Sequence, residues 1–157
     1  MGLKENLQNE SVSTLPCREA ILIQPETSVR QAAQILQSKK LGCAVVVDAE
    51  GKPMGIFTER TLIKLLLQQP HDLDKIPVRE HLETEWFCVR NSDSISAVLD
   101  LVQKRDARFV CELDEHGKVI GLTGQKGLSE YIADHFPEQV MVQRIGGQPG
   151  MENREGA

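Results

Sequence analysis

The sequence predicts a mixed α/β protein of the α+β type, made of two copies of one strand–helix–strand–strand–helix (β-α-β-β-α) unit. The main observation is a repeat with a constant offset: Gly55 and Gly121 lie 66 positions apart, and the same offset pairs further residues without a gap. These pairs are Ser28 and Ser94, Gln37 and Gln103, Asp48 and Asp114, Gly51 and Gly117, Lys52 and Lys118, and Leu62 and Leu128. The second observation is that one copy alone is near the size at which a core becomes marginal. We therefore expect the two units to pack against each other with pseudo-two-fold symmetry.

The first repeat is assigned to residues 17–69, and its elements follow from the apolar pattern. The predicted elements are a strand at 20–23, a helix at 29–40, strands at 43–47 and 55–57, and a helix at 58–67. Thr27 or Ser28 can cap the first helix with a side-chain oxygen. The run 43–47 is apolar at every position, which is typical of a strand buried on both faces. Pro70 lies beyond the second helix and cannot continue it.

The second repeat is assigned to residues 78–136, follows a linker at 70–77 and has the same order of elements. Its predicted elements are a helical turn at 78–82, a strand at 85–90, a helix at 94–105, strands at 108–113 and 119–123, and a helix at 125–135. Residues 1–16 are polar and lack a clear period, so we expect an N-terminal tail. Residues 137–157 are expected to form a C-terminal tail, in which 140–144 could add a short strand.

Composition argues against several classes of function. The 157 residues carry a formal net charge of −5 and no basic block, which disfavours binding to nucleic acid. No apolar run is long enough to span a membrane, and the polar start of the chain does not resemble a secretory signal. We therefore expect a cytoplasmic protein that acts neither on nucleic acid nor in a membrane.

The four cysteines do not predict a metal or redox site. Cys17, Cys43, Cys88 and Cys111 show no Cys-x-x-Cys spacing, and the histidines do not stand at ligand spacing beside them. Three of the four fall inside apolar strand patterns, which favours buried small hydrophobic side chains. Since the sequence also shows no nucleophile–base pair and no glycine-rich phosphate loop, it does not predict an enzyme.

Three groups of residues carry a resemblance to a known family. They are Pro25-x-Thr27-Ser28-Val29-x-x-Ala32-Ala33, then Val45-Val46-Val47-Asp48-x-x-Gly51-Lys52-x-x-Gly55-Ile56-Phe57-Thr58-Glu59-Arg60, and, in the second repeat, Asp93-Ser94-Ile95 with Leu113-Asp114-x-x-Gly117-Lys118-Val119-Ile120-Gly121-Leu122-Thr123. With both copies in register over residues 17–136, the chain resembles a tandem pair of cystathionine β-synthase (CBS) domains, also called a Bateman module.

The resemblance implies a regulatory binding module. Such pairs form two clefts between their repeats and bind adenosine-containing ligands such as AMP, ADP, ATP or S-adenosylmethionine, with no cofactor required. The family motif Gly-hydrophobic-hydrophobic-Thr/Ser-x-x-Asp places a hydroxyl and a helix N-terminus at a phosphate and an acid at the ribose hydroxyls. The residues implied for the first cleft are Thr27, Gly42, Ala44, Thr58, Arg60 and Thr61. Those implied for the second cleft are Arg108, Thr123, Gln125 and Lys126.

Both copies depart from this motif. In the first, Thr58 keeps the hydroxyl, but Thr61 stands at the position of the acid. In the second, Gly124 and Gly127 replace the hydroxyl and the acid, and Thr123 is displaced by one position. Loss of a charge-assisted pair with a ribose diol costs about 1.5–3 kcal/mol, or roughly ten- to a hundredfold in affinity. We therefore expect weak binding in the first cleft and a vacant second cleft.

Several residues allow two interpretations. Arg60, Lys126 and Arg108 could bind phosphate or could be solvated surface charges. Glu112 could line the second cleft or face solvent. Trp86 could stack on adenine or could supply apolar mass to the core or to a dimer interface. Thr58, similarly, could hold a phosphate or simply cap a helix.

A homodimer is also expected. In the CBS family, pairs commonly dimerise through their helices, and the run Leu62–Leu67 with the stripe Ala97, Val98 and Leu101 provides more apolar helix surface than one core needs. The sequence thus leaves two functions open. One is a ligand-sensing module that regulates a partner protein of unknown identity, and the other is a ligand-free structural or dimerisation module with degenerate nucleotide sites.

Overall fold

The computed structural model describes residues 2–138, which form two three-stranded sheets and five α-helices. In chain order the elements are α1 (Leu3–Asn9), β1 (Ile21–Ile23), α2 (Val29–Lys39), β2 (Cys43–Val47), β3 (Pro53–Thr58), α3 (Glu59–Leu67), β4 (Phe87–Arg90), α4 (Ile95–Lys104), β5 (Val110–Leu113), β6 (Val119–Thr123) and α5 (Gln125–His135), with short 3-10 helices at Val12–Thr14 and Val78–His81. The predicted β-α-β-β-α order is confirmed in both repeats. The strand suggested at 140–144 lies outside the described residues, as does most of the expected C-terminal tail.

The two sheets have the same topology. In each, the middle strand pairs in parallel with the first strand and antiparallel with the third, which gives the orders β1-β2-β3 and β4-β5-β6. The registers match as well, because Val45 pairs with Ile56 and their equivalents 66 positions later, Cys111 and Leu122, pair with each other. This equivalence confirms two repeats related by pseudo-two-fold symmetry.

Strand β2 lies between two apolar layers, as its uninterrupted apolar sequence predicts. One face packs on Cys111 and Leu122 of the other sheet, so the two repeats meet sheet to sheet. The opposite face packs on α2 and α3 of its own repeat. The first face carries Cys43, Val45 and Val47, and the second carries Ala44 and Val46. Because strand side chains alternate between faces, both layers need apolar residues and no position of β2 is left for a polar one.

Two helices next to the seam begin at side-chain caps. The Ser28 hydroxyl accepts a hydrogen bond from the Gln31 N–H at 3.2 Å, and the Gln31 side chain accepts one from the Ser28 N–H at 3.3 Å. Of the two caps that the sequence allows for α2, Ser28 is therefore the one used. Thr58 caps α3 in the same reciprocal way with Thr61. In contrast, α5 begins at Gly124, at φ 146° and without a side-chain cap.

Residues 3–15 belong to the core of the second repeat and are not the tail that their polarity predicts. Helix α1 packs on α4, and Leu7, Val12 and Leu15 are buried in one cluster with Tyr131. The Val12 N–H donates to the carbonyl of Asp93 at 2.8 Å. Three apolar side chains are sufficient to hold this otherwise polar segment in place, because they pack on an apolar surface of the second repeat.

The residues at the start of each repeat bind to the sheet of the other repeat. Arg18 and Leu122 exchange two backbone hydrogen bonds of 2.9 Å, which extend the second sheet beyond β6. At the first sheet, the Glu83 N–H donates to the carbonyl of Ile56 at 2.9 Å, beside β3. Each sheet is therefore extended at one edge by residues from the start of the other repeat.

Two of the four cysteines are buried. Cys43 and Cys111 lie in the layer between the sheets, as the apolar pattern predicts, whereas Cys17 and Cys88 are exposed, which corrects the expectation for Cys88 in β4. Burial raises the pKa of every thiol, and it does so to about 12 for Cys17 and Cys111. The thiols therefore stay protonated at neutral pH and are poor nucleophiles.

Candidate functional site

A cleft of about 630 Å³, which we name cleft 1, lies where the two repeats meet. One wall is the beginning of α3, a second is the segment 83–87, and a third is the loop 105–109 between α4 and β5. Because these walls come from both halves of the chain, anything bound in cleft 1 would contact both repeats.

Three side chains form a hydrogen-bonded cluster at the N-terminus of α3. The hydroxyls of Thr58 and Thr61 both donate to Oε1 of Glu83, over 2.7 and 2.8 Å. Each hydroxyl oxygen also accepts the backbone N–H of the other threonine at 3.2 Å. Both threonines are buried, and the Glu83 backbone is held against β3 by its bond to Ile56. The fold itself therefore places a carboxylate at the positive end of α3.

Glu83 is ionised at neutral pH. Burial alone would raise the pKa of this carboxyl group, but the hydrogen bonds from Thr58 and Thr61 act in the opposite direction. The nearby charges of Lys64 and Arg60 lower the pKa further, so it lies below its ordinary value. The N-terminus of α3 thus faces a negative charge that the protein supplies.

Sequence reasoning missed Glu83. The motif lacks an acid at position 61, and the structure brings one to the Thr61 hydroxyl from the start of the second repeat. The repeat gave no signal for it, because the residue 66 positions earlier is Cys17. The structure shows Thr58 as the cap of α3, with its hydroxyl donating to Glu83, and a phosphate-binding role for the same hydroxyl stays a prediction.

Arginines and aromatic rings line the far side of cleft 1. Arg105 pairs with Glu85 and lies over the ring of Phe87, with its Cζ 5.3 Å from the ring centre. Arg108 lies over the ring of Phe109 at the same distance. These arrangements hold the flat guanidinium groups beside aromatic faces at the wall of the cleft.

The position of Trp86 is compatible with both of the roles that the sequence left open. It lines cleft 1, and part of its surface packs in the apolar layer between the sheets. The Trp86 side chain therefore forms part of the cleft wall and, at the same time, supplies apolar mass to the core.

Most of the residues predicted for the first cleft lie in or beside it. Gly42, Thr58 and Arg60 line cleft 1, and Arg60 is exposed there. Thr61 lies behind Thr58, with the two hydroxyl oxygens 3.1 Å apart, and reaches the cleft only through Glu83.

Besides Thr61, two more of the predicted residues do not line cleft 1. Ala44 has no exposed surface and packs in the core of the first repeat, because the strand turns it toward the helices. The hydroxyl of Thr27 accepts a hydrogen bond from the Gln24 N–H at 3.2 Å, and the Thr27 carbonyl accepts one from Val78 at 2.8 Å. Thr27 therefore fastens the start of the second repeat to the first repeat and does not line the cleft.

A smaller cleft of about 110 Å³, which we name cleft 2, lies at the equivalent place in the second repeat. Of the residues predicted for it, Arg108, Thr123 and Lys126 line it, whereas Gln125 lines cleft 1 instead. Arg108 borders both clefts. The Thr123 hydroxyl is buried and has no hydrogen-bond partner among residues 2–138. Cleft 2 is well below the volume of about 300 Å³ at which small-molecule sites begin.

Glu112 is buried near cleft 2, so the interpretation that it faces solvent is wrong. Its side chain is 3% exposed, and one of its carboxyl oxygens has no partner in the described part of the chain. Glu112 pairs with Gly121 of β6, against which Cys17 packs. After burial, the neighbouring Glu112 is the next cause of the raised pKa of Cys17.

The described residues offer no metal centre. Within residues 2–138, no group of three or more His, Cys, Asp or Glu side chains could hold a metal ion. None of the helices in the same range combines the length and the hydropathy that crossing a bilayer requires.

Residues 12–68 match the family model described as the CBS domain. The first repeat is therefore a CBS domain, and the second repeat has the same topology and strand register. The chain thus has the fold of a tandem CBS pair, as the motifs of both repeats suggested.

Solved CBS structures share this fold over most of the chain. The CBS domain protein PAE2072 from Pyrobaculum aerophilum, complexed with AMP, has a TM-score of 0.69 at 18% identity, over 88% of this chain and 100% of that one. The CBS domain pair of protein MJ0100, in complex with 5′-methylthioadenosine and S-adenosyl-L-methionine, has a TM-score of 0.68 at 21% identity, over 80% and 97% of the two chains. These likenesses establish the fold.

Curated relatives are also distant in sequence. An uncharacterized 17.7 kDa protein of Acidianus ambivalens is 24% identical over 78% of this chain and 73% of its own length. Protein MK0525 of Methanopyrus kandleri is 23% identical over 74% of this chain, which spans 59% of that protein. A homoserine O-acetyltransferase of Methanosalsum zhilinae is 24% identical, but the chain spans only 25% of it. CBS domains are in general regulatory rather than catalytic, so this partial match does not indicate an acetyltransferase.

Proposed function

We propose that this protein is a regulatory CBS pair that binds an adenosine-containing ligand in cleft 1 and thereby controls a partner protein. The observation that carries the proposal is cleft 1 itself, with about 630 Å³ of space walled by side chains of both repeats. That volume is in the range of small-molecule sites, about 300–1,000 Å³. Two neighbours of the same fold, one complexed with AMP and the other with methylthioadenosine and S-adenosylmethionine, support this class of ligand.

The walls of cleft 1 suit the parts of a nucleoside. Trp86 and Phe109 offer apolar rings to a purine, and such stacking contributes about 0.5–1.5 kcal/mol beyond the area that it buries. Glu83 offers a carboxylate oxygen to hydroxyl donors, and Arg60 and Arg108 border the space that the remaining part of the ligand would fill.

Regulation would follow from the position of cleft 1 at the seam. A ligand there contacts α3 of one repeat and the loop 105–109 of the other. A ligand that binds better to one relative packing of the repeats shifts the population toward that packing. A partner protein that contacts both repeats would then sense the ligand.

Calorimetric titration with AMP, ADP, ATP, adenosine and S-adenosylmethionine tests the proposal, with a thermal-shift measurement in parallel. At least one of them should bind, and Trp86→Leu should weaken it about tenfold, because it removes the aromatic ring but keeps an apolar side chain. Lys126→Gln changes a side chain that lines only cleft 2 and should leave the affinity unchanged. Neither heat nor a shift in melting temperature with any of these ligands at millimolar concentration would refute the proposal.

A second candidate function is a homodimerisation module. Its supporting observation is an apolar strip on α3, where Ile63, Leu66 and Leu67 are 58%, 48% and 79% exposed. The strip predicted on α4 supports it less, because Val98 is completely buried. Light scattering at micromolar concentration tests this candidate: a mass of about 35 kDa, twice the 17.5 kDa chain, favours it, and a monomer excludes it.

A further inference from the structure

We propose that Glu83 makes cleft 1 selective for an uncharged or cationic purine nucleoside over a phosphorylated one. The proposal rests on the function proposed above and specifies the ligand of the same cleft. It follows from the position of the carboxylate, from the hydrogen bonds that it already accepts, and from the balance of charge around it.

The first step concerns the N-terminus of α3. A helix N-terminus with a free hydroxyl is a favourable place for a phosphate group. Here the hydroxyl protons of both Thr58 and Thr61 are directed to Glu83 Oε1, over 2.7 and 2.8 Å. A phosphate at this point would have to displace the carboxylate or lie against it, and two adjacent negative charges repel each other.

The second step concerns the other oxygen of the same carboxylate. Glu83 lines cleft 1, and its Oε2 accepts no hydrogen bond from the described residues. An ionised carboxylate accepts strong hydrogen bonds from hydroxyl or amino groups and has no proton to donate to a phosphate. Glu83 is therefore complementary to the sugar hydroxyls of a nucleoside.

The third step concerns the remaining charges of cleft 1. Eight charged side chains line it, four positive and four negative. Besides Glu83, the acids are Glu59, Glu85 and Asp106, and together they offset the arginine and lysine side chains. The cleft therefore has no positive excess that would attract a phosphate or a triphosphate.

Two positively charged side chains already interact with the Glu83 carboxylate. The hydrogen bonds from Thr58 and Thr61 lower the pKa of Glu83, and the charges of Lys64 and Arg60 lower it further, so these two cations help to stabilise the ionised carboxylate. Removing the negative charge of Glu83 would leave these two cations, and the positive end of α3, free to attract an anionic ligand. The selectivity should therefore be reversible by one substitution.

The test compares the affinities of adenosine and AMP in one buffer of fixed ionic strength. The wild-type protein should bind adenosine more tightly than AMP. Glu83→Gln keeps an oxygen that accepts both threonine hydroxyls but removes the charge, and it should improve AMP relative to adenosine about tenfold. Glu26→Gln is the matched control, because it removes the same charge at an exposed ion pair with Arg79, and neither of these residues lines cleft 1. The control should change the ratio by less than about twofold, since exposed pairs contribute little.

The outcomes separate this inference from the function on which it rests. If AMP binds the wild-type protein more tightly than adenosine, or if Glu83→Gln changes both affinities by the same factor, the selectivity proposal is overturned and the nucleoside site stands. If neither adenosine nor AMP binds the wild-type protein or the Glu83→Gln variant, ADP, ATP and S-adenosylmethionine also fail to bind, and both proteins still unfold cooperatively, the proposed function itself is refuted and the inference with it.

Discussion

Replacing Gly121 with alanine should destabilise the protein far more than the same change at its repeat equivalent, Gly55. Gly121 lies in β6, where the segment carrying Cys17 and Arg18 crosses the sheet edge. A Cβ at position 121 would overlap the Cys17 sulfur and lie 2.8 Å from the Arg18 carbonyl oxygen, which is backbone. At Gly55 the nearest atom, also at 2.8 Å, is the terminal Cδ1 of Leu82, a flexible side chain that can turn away.

The size of the expected loss in the free energy of unfolding follows from the groups that an added Cβ displaces. Gly121→Ala pushes the N-terminal segment away from β6, and the two 2.9 Å hydrogen bonds between Arg18 and Leu122 are then lost. Each such bond contributes about 1 kcal/mol net. With strain from overpacking, the total loss in the free energy of unfolding should be about 2–4 kcal/mol. For Gly55→Ala, where a side chain can adjust, about 1 kcal/mol is expected.

Urea unfolding followed by circular dichroism measures both free energies. Hydrogen exchange adds a local readout, because the amides of Arg18 and Leu122 should lose protection in Gly121→Ala and keep it in Gly55→Ala. Equal losses of stability in the two variants would refute the reasoning. So would unchanged protection of these amides in Gly121→Ala, since the segment would then still be paired.

Three further predictions follow. Leu7→Ala, in a helix buried against the second repeat, should lower the free energy of unfolding by about 2–4 kcal/mol, whereas a tail would give no change in urea unfolding. Because the pKa of Glu83 is lowered in the folded protein, the stabilisation that its ionised carboxylate provides should be complete above the ordinary carboxyl pKa and should be lost as the pH falls through the folded pKa. Between pH 7 and pH 3, the free energy of unfolding of Glu83→Gln should therefore decrease less than that of the wild-type protein. Replacing Ile63, Leu66 and Leu67 with serine should convert a dimer, where light scattering finds one, to a monomer without changing the circular dichroism spectrum.

The sequence determined the repeat architecture well because its signals are local and occur twice. The helix at 125–135 and the strand at 119–123 are found at the predicted bounds, and the apolar run of β2 correctly indicated burial on both faces. The cap of α3 at Thr58 was equally readable. These features depend on hydrogen bonds and side-chain alternation within one repeat.

The features that the sequence did not reveal depend on contacts between distant parts of the chain. Glu83 reaches Thr58 and Thr61 across more than 20 positions, and no period or motif marks such a pairing. Leu7 is buried only because the second repeat covers it. Ala44 was placed in the first cleft by family resemblance, whereas the alternation along β2 turns it into the core.

The exchange of segments between the repeats has a consequence for chains of half this length. A polypeptide with one repeat and its preceding segment would have a sheet with an open edge and an arm that fits the same edge on another molecule. Two such polypeptides would complete each other by reciprocal swapping, and joining them end to end gives the connectivity seen here. In this sense the tandem protein has the arrangement of a segment-swapped dimer whose two subunits are joined in one polypeptide.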